Sequence, residues 1–315
     1  MKKSDASERR PYLMKPFFIV GPTATGKSEI AAEIACQLDA EIVSADAFQI
    51  YRGLDQLTAK PEKTILEKVP HHLLSAVPLN EEMNVEKFRA AATKVIREIH
   101  AREKRAIVVG GSGLYVRALT HGLSQLPGAD PKLRAQLNEL SLEELCRQLI
   151  DLDPESARKI DLKNRRRVVR ALEICLLSGK PVSKQRVCES KGEAATTGVF
   201  VFRERAELYQ RIDRRVEKMF AEGVVKEVRA LRDLGSTAEK ALGLREIRAL
   251  LAGEISEPEC IARTQQCTRR YAKRQLTWFN RQGSFRPLNL SAHGYPEAIE
   301  SIAQDACLVF AQTDD

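Results

Sequence analysis

Residues 17–28 read FFIVGPTATGKS, a four-residue apolar run followed by a glycine-bracketed loop ending in Lys27 and Ser28. Gly21, Pro22, Thr23, Ala24, Thr25, Gly26, Lys27 and Ser28 satisfy G-x-x-x-x-G-K-[ST] in full, directly after a predicted strand and directly before the helical spacing of SEIAAEIACQL. In that context the loop N–H groups and the positive end of the helix can cradle a di- or triphosphate. Lys27 supplies a point charge and Ser28 a ligand for Mg²⁺. The expected fold class is therefore α/β: a P-loop NTPase-like parallel sheet core flanked by helices, with a helical insertion domain.

Working outward, EIVSAD at 41–46 and AIVV at 106–109 are further short β-rich runs, separated by material with helical spacing. Such alternation suggests a parallel sheet with helices on its faces. Between Val85 and Glu103 one helical stripe carries Phe88, Ala92, Val95, Ile96 and Ile99, so that helix should pack on the sheet. After LPGADP at 126–131 charged helical patterns take over, except for GVFVF at 198–202. The predicted organisation is a tail over 1–16, a P-loop core over 17–130 and a helical insertion over 131–192. Residues 193–315 then complete the core with a basic helical region, after an exposed loop at 191–198 and ending in a peripheral strand and helix.

At 315 residues and 43% hydrophobic content the chain can bury a substantial core. The 51 Lys and Arg outnumber the 43 Asp and Glu, giving a formal charge of +8. This suits a polyanionic partner or a solvated basic surface. Cys36, Cys146, Cys175, Cys188, Cys260, Cys267 and Cys307 form no Cys-x-x-Cys pair and read as free thiols in a reducing compartment. The N-terminal MKKSDASERRPYLMK lacks an apolar core, and no later segment has the apolar length to span a bilayer, so the expected address is the cytoplasm, with no membrane partner.

A hydrolase or kinase with this loop carries an Asp on a later apolar strand to help hold the metal. Here AIVV runs into Gly110-Gly111-Ser112-Gly113-Leu114-Tyr115, which weighs against ATP hydrolysis. Those residues form either a plain strand-to-helix turn or a surface on which a bulky substrate presses against backbone. Asp46 stands where EIVSAD ends, and open parallel sheets bind ligands at the carboxyl ends of their strands. It is expected to face the crevice of the phosphate loop, with a helix N-cap at the strand–helix junction as the alternative. Gln49 offers an amide to an adenine edge or is a plain surface amide. The adjacent His71 and His72 have no carboxylate or Cys spaced to complete a metal site and read as structural or substrate-proximal.

Lys163, Arg165, Arg166, Arg167 and Arg170 crowd one segment, Arg211, Arg214 and Arg215 another, and Lys240 and Arg245 a third. CTRRYAKRQLTWFN at 267–280 interleaves Arg269, Arg270, Lys273 and Arg274 with Tyr271, Trp278 and Phe279. Each run alone is an ordinary solvated helix face. Together, with aromatics between them, they suit a folded RNA whose phosphates are gripped and whose unstacked bases rest on rings.

Taken in order, GPTATGKS, SADAFQIYRGLD, TAKP, PHHLL, GGSGLY, NRRRVVRALEI, RIDRRVEKM, ALGLREI and TRRYAKRQLTWF resemble bacterial tRNA dimethylallyltransferases, also called tRNA isopentenyltransferases, across 17–279. The resemblance implies prenyl transfer from dimethylallyl diphosphate to N6 of the adenine 3′ of the anticodon, position 37, with Mg²⁺ as cofactor. Its partners would be the tRNA anticodon stem-loop and the diphosphate, and the protein a monomer. It implies catalytic roles for Asp46 (general base), Thr23 and Arg215, and donor contacts from residues 21–28. Against tRNA it implies Asp46, Ala47, Phe48, Gln49, Ser112 and Arg134, the run Arg166, Arg167, Val168, Val169 and Arg170, and the run Lys240, Ala241, Leu242, Gly243, Leu244 and Arg245. Ala47, Leu57, Ser75 and Leu244 depart from the family's frequent Ser, Gly, Asp and Tyr. A metabolite kinase, an RNA-binding nucleotide switch and a prenyltransferase of free adenine nucleotides are the rival readings, and the long basic half favours tRNA over the last.

Overall fold

The structure is a computed structural model that describes residues 15–124, 126–185 and 198–311. Cys188 and most of the expected N-terminal tail and 191–198 loop lie outside the described residues. The polypeptide divides into two compact units: the chain up to Thr120 together with the chain from Glu193 onward, and His121–Gly192 between them.

The first unit carries one parallel sheet of β1 (Phe17–Val20), β2 (Ala40–Ser44), β3 (His71–His72), β4 (Arg105–Gly110), β5 (Gly198–Phe202) and β6 (Phe285–Asn289), in the order β3-β2-β4-β1-β5-β6. Its first helices are α1 (Lys27–Gln37), α2 (Lys63–Leu66), α3 (Val85–Ala101) and α4 (Gly113–Thr120). The second unit is helical: α5 (Pro131–Glu139), α6 (Leu142–Leu152), α7 (Pro154–Lys159), α8 (Arg165–Ser178) and α9 (Val182–Gln185). The chain then returns through β5 to α10 (Arg205–Ala221), α11 (Val224–Ala230), α12 (Leu244–Leu251), α13 (Glu257–Phe279) and α14 (Tyr295–Ala311).

Strands covered on both faces read as unbroken apolar runs, and the alternation of side chains splits each run between two cores. Phe17, Ile19, Ile42, Ile107, Val109, Val199 and Val201 face α1 and α14, while Phe18, Val20, Val43, Val108 and Phe200 face the layer that contains α3, α4 and Phe279 of α13. Each buried side chain of this size contributes about 1.5–3 kcal/mol of transfer free energy. On α3 the expected stripe is buried at Phe88, Ala92, Ile96 and Ile99, with Val95 at its margin, and the Asn84 side chain caps the helix by accepting from the Lys87 N–H. The second unit closes over Leu137, Leu145, Leu149, Val168 and Leu172, and Ser141 and Glu144 form a reciprocal capping box at the start of α6.

Candidate active site

Three strand ends meet because β2, β4 and β1 are neighbours and run parallel. The phosphate loop leaves β1, the Gly110–Gly113 turn leaves β4, and Asp46 follows β2. Backbone bonds hold these exits level: the Ala45 N–H donates to Val109 O at 2.7 Å and the Gly21 N–H to Gly110 O at 3.2 Å. A cavity of about 670 Å³ opens there, lined by Thr23, Gly26, Lys27, Ser28, Asp46, Gln49, Arg211 and Arg215 among others. Gly26 sits at φ 95°, a left-handed position that a side chain would strain, and this turns the loop into α1.

Charge in the cavity is concentrated around the loop. The Lys27 ammonium donates to Pro22 O, and burial lowers its pKa to about 8, with Asp46 opposing that shift and Arg215 adding to it. Burial likewise draws Arg215 below its ordinary value while Asp46 pulls it back. Arg215 donates to the Thr23 hydroxyl at 2.9 Å and to Thr58 O at 3.0 Å. Arg211 donates to Ala24 O and Arg203 to Thr25 O, each at 2.8 Å. Arg211, read from sequence as part of an RNA-gripping run, is therefore a cation of the phosphate loop beside Arg215, for which the resemblance implied a catalytic role. They lie four residues apart on one face of α10, which is the spacing that carries both to the same loop.

Asp46 uses one carboxylate oxygen within the chain. Its Oδ1 accepts the N–H of Phe48 at 2.9 Å and of Gln49 at 3.2 Å, the cap-like arrangement expected at this junction. Oδ2 makes no hydrogen bond among the described residues and belongs to a residue that lines the cavity. The Ser112 hydroxyl accepts the Ala47 N–H at 3.0 Å, tying the β4 turn to the segment that holds Asp46. The site thus combines an anion cradle, a carboxylate with a spare oxygen, and space between them.

The sequence pattern of IPP transferase matches residues 49–282. The tRNA dimethylallyltransferase of Akkermansia muciniphila is 45% identical over 90% of this chain and 96% of its own length, and tRNA dimethylallyltransferase 1 of Citrifermentans bemidjiense is 44% identical over 85% and 90%. The crystal structure of the tRNA isopentenylpyrophosphate transferase from Bacillus halodurans superposes with a TM-score of 0.70 at 34% identity, covering 96% of this chain and 98% of that one. A eukaryotic dimethylallyltransferase acting on tRNA gives a TM-score of 0.75 at 25% identity over 93% and 77%. The chain belongs to the IPP transferase family.

As a member of that family the protein uses several predicted positions in unexpected ways. Gln49 donates its amide to Thr58 O and Ala59 O, the two carbonyls that Arg215 also engages, which leaves its side-chain oxygen without a partner among the described residues. That carbonyl-bearing loop is set by Glu227, whose carboxylate accepts the N–H groups of Asp55, Gln56 and Leu57 at 2.7–2.9 Å. Lys60 donates to Tyr51 O, the Asp55 carboxylate and the Ser75 hydroxyl. Leu57 and Leu244 are core residues.

The glycine turn is a correction. Its close approach serves the chain itself: a Cβ on Gly110 would meet Ala45 O at 2.2 Å, on Gly111 the Gln275 amide at 2.3 Å, and on Gly113 the Trp278 ring at 2.5 Å. It is not a surface reserved for substrate. Nor are the aromatics of 267–280 a row of base platforms, since Phe279 is in the core beside Phe200 and Trp278 covers Gly113. Gln275, which sequence reasoning passed over, accepts the Thr23 N–H at 3.0 Å and donates to Gly111 O at 2.9 Å. The i, i+4 and i+7 face of α13, Tyr271, Gln275 and Trp278, was the available signal.

Among the segments predicted against tRNA, Val168 and Val169 are buried in the second unit, and Ala241 and Leu244 in the first, so their side chains pack rather than present, and Gly243 is buried with them. Arg166, Arg167 and Arg245 are exposed. Arg134 and Arg170 both pair with the fully buried Glu173 carboxylate, whose oxygens also receive the Asp130 N–H. Their first duty is to hold the second unit together. His72 binds Glu41 and His71 binds Val69 O, and the described residues contain no cluster of three His, Cys, Asp or Glu. No described helix is long and apolar enough to cross a membrane.

Proposed function

We propose that this protein transfers a dimethylallyl group from dimethylallyl diphosphate to N6 of the adenine 3′ of the anticodon, position 37, in tRNA, releasing diphosphate. The observation that carries this reading is the pairing of a complete phosphate cradle with a carboxylate two strands away in one cavity. Family membership and the names of the relatives, all tRNA dimethylallyltransferases or isopentenyltransferases, support it.

The adenine amine is a weak nucleophile because its lone pair is delocalised into the ring. It needs an allylic carbon already losing its leaving group. As the C1–O bond lengthens, charge gathers on the diphosphate, where Lys27, Arg215 and the loop N–H groups neutralise it. Arg215 occupies the acceptor side of the Thr23 hydroxyl, which leaves that hydroxyl's proton for a phosphate oxygen. The N6 proton passes to the spare oxygen of Asp46 as the C–N bond forms. A placed base of this kind is typically worth about 10²–10⁴ in rate.

Ser28 lines the cavity beside the loop, its hydroxyl makes no hydrogen bond among the described residues, and oxygen donors suit Mg²⁺. Ser28 would therefore hold the ion, which when bound supplies further charge for the leaving diphosphate. Unstacking the target adenine costs about a few kcal/mol. Exposed cations such as Arg166, Arg167, Lys273 and Arg274 are available to offset it. Cytoplasmic residence and a monomeric state fit free thiols and a site built within one chain.

The test combines purified protein, labelled dimethylallyl diphosphate, Mg²⁺ and unmodified tRNA. Label is expected on the adenine 3′ of the anticodon, and Asp46→Ala should lower transfer by about 10²–10⁴ while tRNA affinity holds. ATP consumption with unlabelled RNA would sink this reading and favour a kinase.

A further inference from the structure

Helix α13 matches the β4 turn residue for residue. Tyr271 hydrogen-bonds the Ser112 hydroxyl, the Gln275 amide meets Gly111, and the Trp278 ring lies over Gly113. The three side chains share one helix face, and the absence of a Cβ at Gly111 and Gly113 lets that face approach the turn.

Gln275 differs from its two neighbours because it also reaches the phosphate loop. Its side chain is buried, and each end of the amide has one possible orientation. The Thr23 N–H requires the oxygen, at 3.0 Å, and Gly111 O requires the NH₂, at 2.9 Å. On the loop side, Thr23 also carries the hydroxyl that Arg215 engages. On the turn side, Ser112 follows Gly111 and accepts the N–H of Ala47, the residue after Asp46. One buried amide therefore closes a continuous path from the diphosphate cradle to the carboxylate.

We propose that Gln275 is a positioning residue for the transfer, a two-ended spacer that fixes the distance between the loop holding the leaving group and the turn supporting Asp46. This rests on the function proposed above and deepens it. The donor and the acceptor amine are held by different strand exits, with only β4 between them. The nascent C–N bond spans that gap, so its length in the ground state depends on how firmly the exits are tied. Gln275 also directs the Thr23 N–H away from the phosphate nest, and the diphosphate is left to the remaining loop amides, Lys27 and Arg215. The amide consequently influences the spacing of the reactants far more than the binding of either one.

Gln275→Glu keeps the shape and the acceptor for Thr23 but sets a carboxylate oxygen against Gly111 O. Gln275→Met keeps most of the volume and neither bond. Displacing reacting groups by about 1 Å can cost about 10² in rate. The expected result is a fall in single-turnover rate of about 10- to 100-fold in both variants, with KM for dimethylallyl diphosphate and Kd for tRNA within about threefold of wild type. Gln275→Asn, too short to span both partners, should resemble Gln275→Met.

Rates near wild type in the folded variants would overturn the proposal and leave the transferase reading standing. So would a rise in donor KM that accounts for the whole loss, which would make Gln275 a donor-binding residue. Loss of tRNA binding and a collapsed melting temperature in all three variants would show a purely structural role and also overturn it. A wild-type protein that labels no tRNA overturns both readings at once.

Discussion

Arg215 donates to the Thr23 hydroxyl at 2.9 Å, joining α10 to the phosphate loop across a sequence separation of 192 residues. The same guanidinium reaches Thr58 O and Ala59 O, so one side chain orders both the phosphate loop and the loop that holds Gln49.

Arg215→Lys separates charge from geometry. A lysine keeps the positive charge but cannot reach the Thr23 hydroxyl and two carbonyls with a planar fork. The expected loss in kcat is about 10²-fold or more, the scale seen when a preorganised donor to a developing anion is removed. Steady-state kinetics with varied dimethylallyl diphosphate checks it, and a rate near wild type would mean that charge alone suffices at this position.

Lys27 gives the site a pH dependence whose sign is fixed by burial. Its pKa of about 8 in the unliganded fold lies below the ordinary 10.5. Between those values the unfolded chain binds a proton that the fold does not, so this group makes unliganded stability rise with pH from about 8 to 10.5. Diphosphate binding favours the charged form. Calorimetry near pH 8 in buffers of different ionisation enthalpy should therefore show proton uptake on donor binding, and donor affinity should fall above that pH. A binding heat independent of buffer would contradict this.

Glu173 should govern the second unit. Its buried carboxylate loses solvation, but the hydrogen bonds from Arg134, Arg170 and the Asp130 N–H outweigh that loss and hold its pKa below the ordinary 4.5. The stabilisation is present above pH 4.5 and disappears as pH falls through the lower folded value. Glu173→Ala removes the acceptor of the Asp130 N–H and of two partly exposed arginines, which water can re-solvate, and should destabilise the unit by about 1–3 kcal/mol. Denaturant unfolding at pH 7 and pH 4 measures both effects, and Glu173→Gln should flatten the acid slope.

The strand, loop and helix over 17–37 were legible because a phosphate nest is made by contiguous residues: an apolar run, a glycine able to adopt φ 95°, and a helix start impose local geometry that later contacts do not alter. Asp46 was placed in the crevice by a similar short-range rule, that ligands meet parallel strands at their carboxyl ends. Its cap-like bonds, both to one oxygen, turned out to coexist with a place in the cavity wall.

Partners remote in sequence were another matter. Arg211 looked like one more surface cation, and only the docking of α10 turned it to Ala24 O. Glu227 and Gln275 carry no local signature, because an amide or carboxylate acquires its role from whichever backbone groups packing brings within 3 Å. The glycines of the β4 turn announced a close approach but not its occupant, which is set by the register of α13 on that turn. The sequence by itself determined the strand–loop–helix turn that carries Gly26, Lys27 and Ser28, since that geometry is local. Which side chains brace the cradle, and how far it stands from Asp46, was decided by the strand order β2-β4-β1 and the helices packed over it, since side-chain hydrogen bonds depend on tertiary distance rather than on spacing along the chain.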